Sequence, residues 1–306
     1  MKFKKIKTYV LLALATISLM ACSNDDTDSL QQSGIPDTPE NVDKNAVNIV
    51  TRAEGVTNNN SGMQAGLYMV NYINGQASQL LPTDNHVNNL KMGNSNNAWV
   101  PATPIYWQDT NVSADFYAYA PYQAVVADAR AMAFSVETDQ TAEDAFLRSD
   151  LLWGAAKGKS PLDGSFDLTI SHQLSQVTVE VVAGSGFEAN ELNSNNVAVT
   201  LSGSRTMGTV DLQTGMVNVT GEKADVKCHN NGDMTYTAIL LPQTISFSNF
   251  VQIDWNGNKY TLQMSIKLDQ SRHHKLTITL KKTMSGLDIG ITGWDVIDED
   301  FGGTVG

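Results

Sequence analysis

The stretch VQIDWNGNKYTLQMSI, residues 251–266, decides the fold class of this chain. Apolar and polar residues alternate on both sides of Asn256-Gly257, as expected when successive side chains of a strand point to opposite faces. Asn-Gly between two such runs is the strongest short-range signal for a β-hairpin, because a two-residue turn needs positive φ. The chain is therefore predicted to be β almost throughout, since similar patterns recur at residues 69–75, 177–181, 197–201, 210–219 and 276–280.

Short strands separated by frequent Gly and Asn turns are typical of β-sandwiches and barrels. The chain has 306 residues, about twice the size of an ordinary domain. We therefore predict an all-β chain of two sandwich domains, at residues 46–171 and 172–306, although no Pro- or Gly-rich linker marks the break. One short helix is predicted over 141–149, where four residues share a face: Ala142, Ala145, Phe146 and Ser149.

Residues 1–21 have the layout of a secretory signal peptide, a cationic start followed by an apolar run. The run is shorter than the about 20 residues that a membrane-spanning helix needs. It ends in Leu19-Met20-Ala21-Cys22, which resembles the lipobox of bacterial lipoproteins and implies cleavage before Cys22 and acylation of that residue with palmitate. The alternative is an ordinary signal peptide followed by an incidental cysteine. Residues 22–45 are acidic and poor in apolar side chains, so they are predicted to form a disordered tether.

The charge of the chain excludes some partners. Lys and Arg number 20 against 32 Asp and Glu, which gives a net charge of −12. Four of the basic residues lie in the predicted signal peptide, so the remainder is more acidic still. Affinity for phosphate comes from Lys and Arg, so nucleic acid is not an expected partner. Anionic lipid would repel such a chain unless acyl chains anchor it.

Three stretches that could carry chemistry are near misses. Residues 154–160 resemble a phosphate-binding loop, but they are one residue short and precede Pro161 instead of a helix. His273 and His274 are adjacent on a predicted strand, so they point to opposite faces and cannot chelate together. The acidic residues between 295 and 300 lack the spacing of a calcium-binding EF-hand. No metal and no cofactor are predicted.

The remaining nucleophile and base candidates are expected to be structural. Cys228 has no partner cysteine if Cys22 is acylated, so an inert, buried thiol is predicted. His172 lies within an alternating run and is predicted to be a hydrogen-bonded strand histidine. No pair of carboxylates stands out for glycoside hydrolysis. We therefore predict that the protein is not an enzyme.

Several segments in a fixed order resemble a known family. They are an aromatic strand DFYAYAPY at 115–122, DLLWG at 150–154, FDLTISHQLSQV at 166–177 and LDIGITGW near the end at 287–294. With the lipobox and the acidic tether, this order resembles the fimbrillin family, the lipoprotein pilins of type V pili. The resemblance implies two transthyretin-like or immunoglobulin-like sandwich domains, export to the surface of the outer membrane, and polymerisation with other fimbrial subunits by strand exchange.

Two segments are candidates for an exchanged strand. The first is residues 46–51, with Val47 and Ile49 on one face, and the second is 287–291, with three aliphatic residues on one face: Leu287, Ile289 and Ile291. Arg52 follows the first candidate, and the resemblance implies that an arginine-specific protease cuts there during maturation. The alternative is that both segments are ordinary edge strands and that Arg52 is a solvated loop residue.

The chain is thus predicted to be a structural subunit of a cell-surface fimbria that supports adhesion to a host or bacterial surface. The alternative function is that of a monomeric surface lipoprotein that binds glycans or peptides. Its binding face would use aromatic residues from the loop-like stretch 94–109, namely Trp99, Tyr106 and Trp107.

Overall fold

The structure is a computed structural model that describes residues 45–53, 62–73, 76–95, 98–284 and 286–297. The predicted signal peptide, Cys22 and the tether before residue 45 lie outside these residues, as do the acidic residues 298–300. Across the described ranges, helices of the length and apolar character needed to span a bilayer are absent.

The described residues form strands with one short α-helix, α1, and one 3-10 turn, Pro161–Asp163. The helix Glu143–Arg148 confirms the prediction over 141–149. Residues 154–159 are part of the strand Leu152–Lys159, so the stretch that resembles a phosphate-binding loop does not form such a loop. In chain order the strands are β1 Asn48–Ala53, β2 Ala65–Ile73, β3 Val87–Ser95, β4 Ala98–Pro101, β5 Val112–Ala120, β6 Met132–Ser135, β7 Leu152–Lys159, β8 Ser165–His172, β9 Ser175–Ala183, β10 Val197–Asp211, β11 Met216–Lys227, β12 His229–Gly232, β13 Thr235–Leu240, β14 Gln243–Trp255, β15 Asn258–Leu268, β16 Arg272–Thr283 and β17 Gly286–Ile297.

These strands build three sheets, so the predicted all-β fold is confirmed. The first sheet has the order β1-β8-β7-β5-β2-β3-β4. The second has the order β11-β10-β14-β15 with β6 added to β10, and the third has the order β12-β13-β9-β16-β17. Neighbouring strands are antiparallel except at β1–β8 and β9–β16, which are parallel.

The hairpin that decided the fold class forms as predicted. β14 and β15 pair from Gln243 to Trp255, and Asn256 and Gly257 in the turn have φ of 52° and 79°. β10 and β11 form the second hairpin, with Gly215 at φ 74°. A third hairpin is predicted at 69–75; its first strand is part of β2, its turn residues 74–75 lie outside the described part of the chain, and the next strand, β3, begins only at Val87.

β5 shows why the aromatic run at 115–122 is a core strand. All of its residues are buried, and its two faces pack into different clusters. Phe116 and Ala118 join the core inside the first sheet, whereas Tyr117 and Tyr119 join a cluster that also contains Val210 from β10. Because side chains alternate along a strand, a strand buried on both faces must lie between two layers.

The chain passes from the first sheet to the third between β8 and β9, close to residue 171. Two features cross that point: β6 pairs with β10, and the cluster around Tyr117 also includes Leu241. The segments 46–171 and 172–306 therefore share buried apolar surface. Their division into two independent domains stays a prediction.

Candidate functional site

The first strand, β1, joins two parts of the first sheet that are distant in sequence. Its backbone pairs in parallel with β8, from Asn48 opposite Ser165 to Ala53 opposite Ile170. On its other side, Val47 N donates to Ile105 O at 2.8 Å. Residues 45–53 thus occupy a groove between β8 and the segment that precedes β5.

The inward face of β1 covers the core of the first sheet. Val47 and Ile49, half-buried, pack against the cluster that includes Phe116 and Phe166. The two rings of that cluster lie 4.8 Å apart between centroids. Without β1, this aromatic core and the edge of β8 would face solvent. An unpaired strand edge can pair with another chain and so promotes aggregation.

Thr51 links β1 to β4, the strand at the opposite edge of the first sheet. Its side chain is on the same face as Val47 and Ile49 and is 4% exposed. Thr51 Oγ1 donates to Trp99 O at 2.8 Å and accepts from Trp99 N at 2.5 Å. One hydroxyl therefore satisfies both outward backbone groups of Trp99 in β4. The period-two alternation 47, 49, 51 is the signal that could have placed Thr51 inward.

Arg52 lies within β1, opposite Thr169, because the strand runs to Ala53. The sequence placed it just past a strand that ended at residue 51, so this boundary was wrong by two residues. Its guanidinium points to solvent and pairs with Asp167, with Arg52 Nε 3.1 Å from Asp167 Oδ1. Exposed ion pairs contribute about 0–1 kcal/mol, so this pair holds the strand end weakly. Cleavage after Arg52 remains a prediction.

The second candidate segment is the outermost strand of the third sheet. β17 pairs antiparallel with β16, with Leu287 opposite Lys282, Ile289 opposite Leu280 and Ile291 opposite Ile278. Leu287 and Ile289 pack against the core, whereas Ile291 remains 38% exposed. In this chain the three residues form an edge strand, and their transfer to a neighbour stays a prediction.

The aromatic face of the alternative function does not form. Trp99 and Trp107 are 2% and 5% exposed and belong to the core inside the first sheet. Trp107 packs edge-on against Phe116 with ring centroids 5.8 Å apart. Only Tyr106 of the three is exposed, so the prediction of a shared binding face was wrong. Trp99 reaches the core from the short strand β4, whereas Trp107 reaches it from irregular backbone, so the stretch shows no sustained alternation.

The histidine and cysteine residues considered above for chemistry lie within strands or the core of the described part of the chain. His172 Nδ1 lies 2.8 Å from Asp150 Oδ2 in a buried pair, which confirms the predicted hydrogen-bonded histidine. Cys228 is buried, which confirms the predicted buried thiol, and burial raises the pKa of that thiol. His273 and His274 do point to opposite faces, with His273 bonded to Thr178 Oγ1. Within the described ranges no cluster of three potential metal ligands occurs.

His274 lies on the core face of β16 with Leu276 and Ile278 and is 1% exposed. Neither ring nitrogen has a hydrogen-bond partner among the described residues. Burial lowers the pKa of this imidazole, and Asp269 opposes that effect only in part. The folded chain therefore keeps His274 neutral at a pH where the unfolded chain protonates it.

We expect His274→Leu to reduce the loss of stability in acid. The unfolded state binds the proton as the pH falls through about 6.5, the folded state does not, and stability therefore falls with pH in the wild type. Urea unfolding midpoints measured on either side of that pH test this. An equal acid dependence in wild type and variant would contradict the prediction.

The described residues thus define an all-β protein whose two candidate strands lie at sheet edges. A family model described as fimbrillin-like matches residues 51–294. The chain belongs to the fimbrillin-like family, which confirms the resemblance. Membership in this family indicates a fimbria-related structural protein of the cell surface and not an enzyme.

Solved structures similar to this one come from Bacteroides. One is a candidate cell adhesion protein from Bacteroides uniformis, with 20% identity, a TM-score of 0.63 and coverage of 84% of this chain and 97% of that chain. A second, from Bacteroides ovatus, has 16% identity, a TM-score of 0.60 and the same coverage. A fimbrial protein from Bacteroides vulgatus has 11% identity, a TM-score of 0.51 and coverage of 82% and 99%. At these identities the similarity shows the fold alone. No curated protein matches the chain.

Proposed function

We propose that this protein is a subunit of a cell-surface fimbria. The subunit is exported as a lipoprotein, assembles with other subunits by strand exchange and supports adhesion. The observation that carries the proposal is the position of β1. It is a short edge strand whose removal would open both a hydrogen-bonding edge on β8 and an apolar groove. An edge and groove of this kind are what donor-strand complementation fills.

In the proposed assembly, cleavage after Arg52 releases residues 46–52 from their groove. The backbone bonds of β1 to β8 and to Ile105 then become available to an extended strand from another subunit. Leu287, Ile289 and Ile291 of that neighbour would replace Val47 and Ile49 against the core. Each aliphatic side chain fully buried contributes about 1.5–3 kcal/mol.

Donation requires β17 to leave its own sheet, because it pairs with β16 along most of its length. Leu287 and Ile289 already cover part of the core, so only Ile291 would gain a large buried area in the exchange. Deleting the whole strand would therefore damage the subunit as well as the donor. Point substitutions at Ile291 separate the two effects.

A lipid anchor at Cys22 would hold the subunit at the outer membrane until cleavage after Arg52 separates the anchor from the folded residues. Acyl chains contribute about 0.8 kcal/mol per buried methylene group, which gives this acidic chain the membrane affinity that its charge opposes. The acidic tether 22–45 would separate the anchor from the folded residues. The division of those residues into domains 46–171 and 172–306 belongs to the same proposal.

We expect Cys22→Ala to release the protein from the outer-membrane fraction or to leave it as an unprocessed precursor, because the acylated thiol is lost. Incorporation of radiolabelled palmitate and membrane fractionation measure this. Cys228→Ala is the matched control, since it removes the other cysteine of the chain, which is buried. Normal processing and membrane partitioning of Cys22→Ala would contradict the lipid anchor.

A further inference from the structure

A polar pocket of about 460 Å³ opens at the end of β2. Its walls come from Asn71 and Tyr72 in β2, from the segment 76–86 that leads to β3, and from Gln108 ahead of β5. Its volume lies within the range of about 300–1,000 Å³ that small-molecule pockets occupy. None of these residues takes part in the exchange proposed for β1 and β17.

Carboxamides dominate the lining of this pocket. Asn71, Gln76, Gln79 and Gln108 each offer an oxygen that accepts and a nitrogen that donates two hydrogen bonds. A sugar hydroxyl also donates and accepts at once, so neighbouring hydroxyls on a ring match neighbouring amides. Gln76, Gln79 and Gln108 are exposed to the opening and can meet a ligand.

The side chain of Asn71 makes one hydrogen bond in the pocket and leaves one acceptor without a partner. Asn71 Nδ2 donates to Gln108 Oε1 at 3.0 Å, which links β2 to the segment before β5. Asn71 Oδ1 is buried and lacks a hydrogen-bond partner among the described residues. A buried acceptor without a donor is unfavourable, so a ligand hydroxyl that reached it after a small rotation of the amide would be bound selectively.

Tyr72 is the tyrosine in the lining of the pocket and brings an aromatic ring to it. Its hydroxyl donates to Asp115 Oδ1 at 3.0 Å. That carboxylate is 5% exposed and also accepts from Tyr117 Oη at 3.1 Å and Gly158 N at 2.8 Å. The ring of Tyr72 is therefore held in one orientation, and an aromatic face beside amides suits the alternating polar and apolar faces of a sugar ring.

The opposite wall is tied down by its own hydrogen bonds. Asn85 Oδ1 accepts from Leu81 N at 2.9 Å, and Asn85 Nδ2 donates to Leu81 O at 3.0 Å. His86 Nε2 lies 3.0 Å from Tyr106 O. The Asn85 bonds close a turn within the segment 76–86, and the His86 contact joins that segment to Tyr106. This wall therefore has its own hydrogen bonds in the absence of a ligand, so binding needs less ordering.

The charge of the pocket selects the class of ligand. Asp84 is its carboxylate and His86 its imidazole, and neither lysine nor arginine lines it. His86 Nε2 already contacts Tyr106 O, so an anionic ligand such as a phosphate or an acidic sugar would lack a strong cationic partner. One carboxylate beside amides is also a poor set for a tightly bound cation. We infer that this pocket binds a neutral saccharide.

Saturation-transfer NMR on the full-length, uncleaved chain in a sugar-free detergent tests the inference. The probes are the methyl glycosides of glucose, galactose, mannose and N-acetylglucosamine, with N-acetylneuraminic acid as the anionic comparison. We expect at least one neutral glycoside to bind. Asn71→Leu and Gln108→Ala should each weaken that binding about tenfold or more, because each removes a hydrogen-bonding partner. Gln263→Ala, an exposed glutamine on β15, is the matched control and should bind as the wild type does.

Three results would overturn the inference: no glycoside response from the folded wild type, undiminished binding by both pocket variants, or binding of N-acetylneuraminic acid at least as strong as that of the neutral sugars. Because the chain is uncleaved, these outcomes are independent of filament assembly. Asn71→Leu should still form filaments after cleavage, so failure of the pocket and failure of the proposed assembly can be told apart.

Discussion

Thr51→Val will destabilise the folded chain by about 2–4 kcal/mol, because it removes one hydroxyl that serves two buried backbone groups. Valine fills nearly the same volume, so the packing of β1 against the core is kept. The N–H and C=O of Trp99 lose the partners that lie 2.5 and 2.8 Å away in the wild type. Each group left unsatisfied costs about 1–3 kcal/mol.

Urea unfolding of the full chain measures this change, and the rate of cleavage after Arg52 reports the loosening of β1 directly. Thr169→Val is the matched control, since Thr169 is exposed on the neighbouring strand β8. Its effect should lie within about 0.5 kcal/mol, as for most surface substitutions. Equal stability of the two variants would mean that Thr51 does not link β1 to β4.

Ile291→Asp will leave the monomer folded and prevent filament growth. Ile291 is 38% exposed in the chain's own sheet, so the monomer should lose about 1 kcal/mol or less. In a neighbour's groove the same residue would be buried, and an aspartate there would lose about 1.5–3 kcal/mol of apolar burial and place a carboxylate in an apolar site. We expect subunit addition to weaken on the order of a hundredfold or more.

Circular dichroism and urea unfolding establish the folded monomer, and electron microscopy of the cleaved protein measures filament length. Val125→Asp is the matched control, because Val125 is an aliphatic residue that is 82% exposed and distant in sequence from both candidate strands. It should form filaments as the wild type does. Filaments of normal length from Ile291→Asp would show that this residue does not enter a neighbouring subunit.

The sequence predicted the elements that local patterns specify. The Asn256-Gly257 hairpin, the short helix α1 and the buried aromatic strand β5 all form where alternation, turn chemistry and composition place them. In each case the residues that determine the structure are neighbours in the chain. Pattern arguments work there because a strand or a turn imposes its period on its own residues.

The arrangement of the candidate site depends on contacts that local patterns do not encode. Thr51 meets Trp99, 48 residues away, and β1 pairs in parallel with β8 more than a hundred residues later. Trp107 reaches the core through irregular backbone, so its stretch looked like an exposed loop. The proposed saccharide pocket is lined by residues from three separate segments, so no single sequence motif predicted it.

The central claim is that β1 is a replaceable strand. The most direct test is to treat the full chain with an arginine-specific protease. Mass spectrometry then gives the mass of the product, and electron microscopy shows whether filaments form. Arg52→Lys is the matched variant, because it keeps the charge that pairs with Asp167 and removes the arginine that the protease recognises. The account predicts cleavage after Arg52 and filaments in the wild type, with intact monomers in Arg52→Lys. Filaments from uncleaved Arg52→Lys, or monomers from fully cleaved wild type, would contradict it.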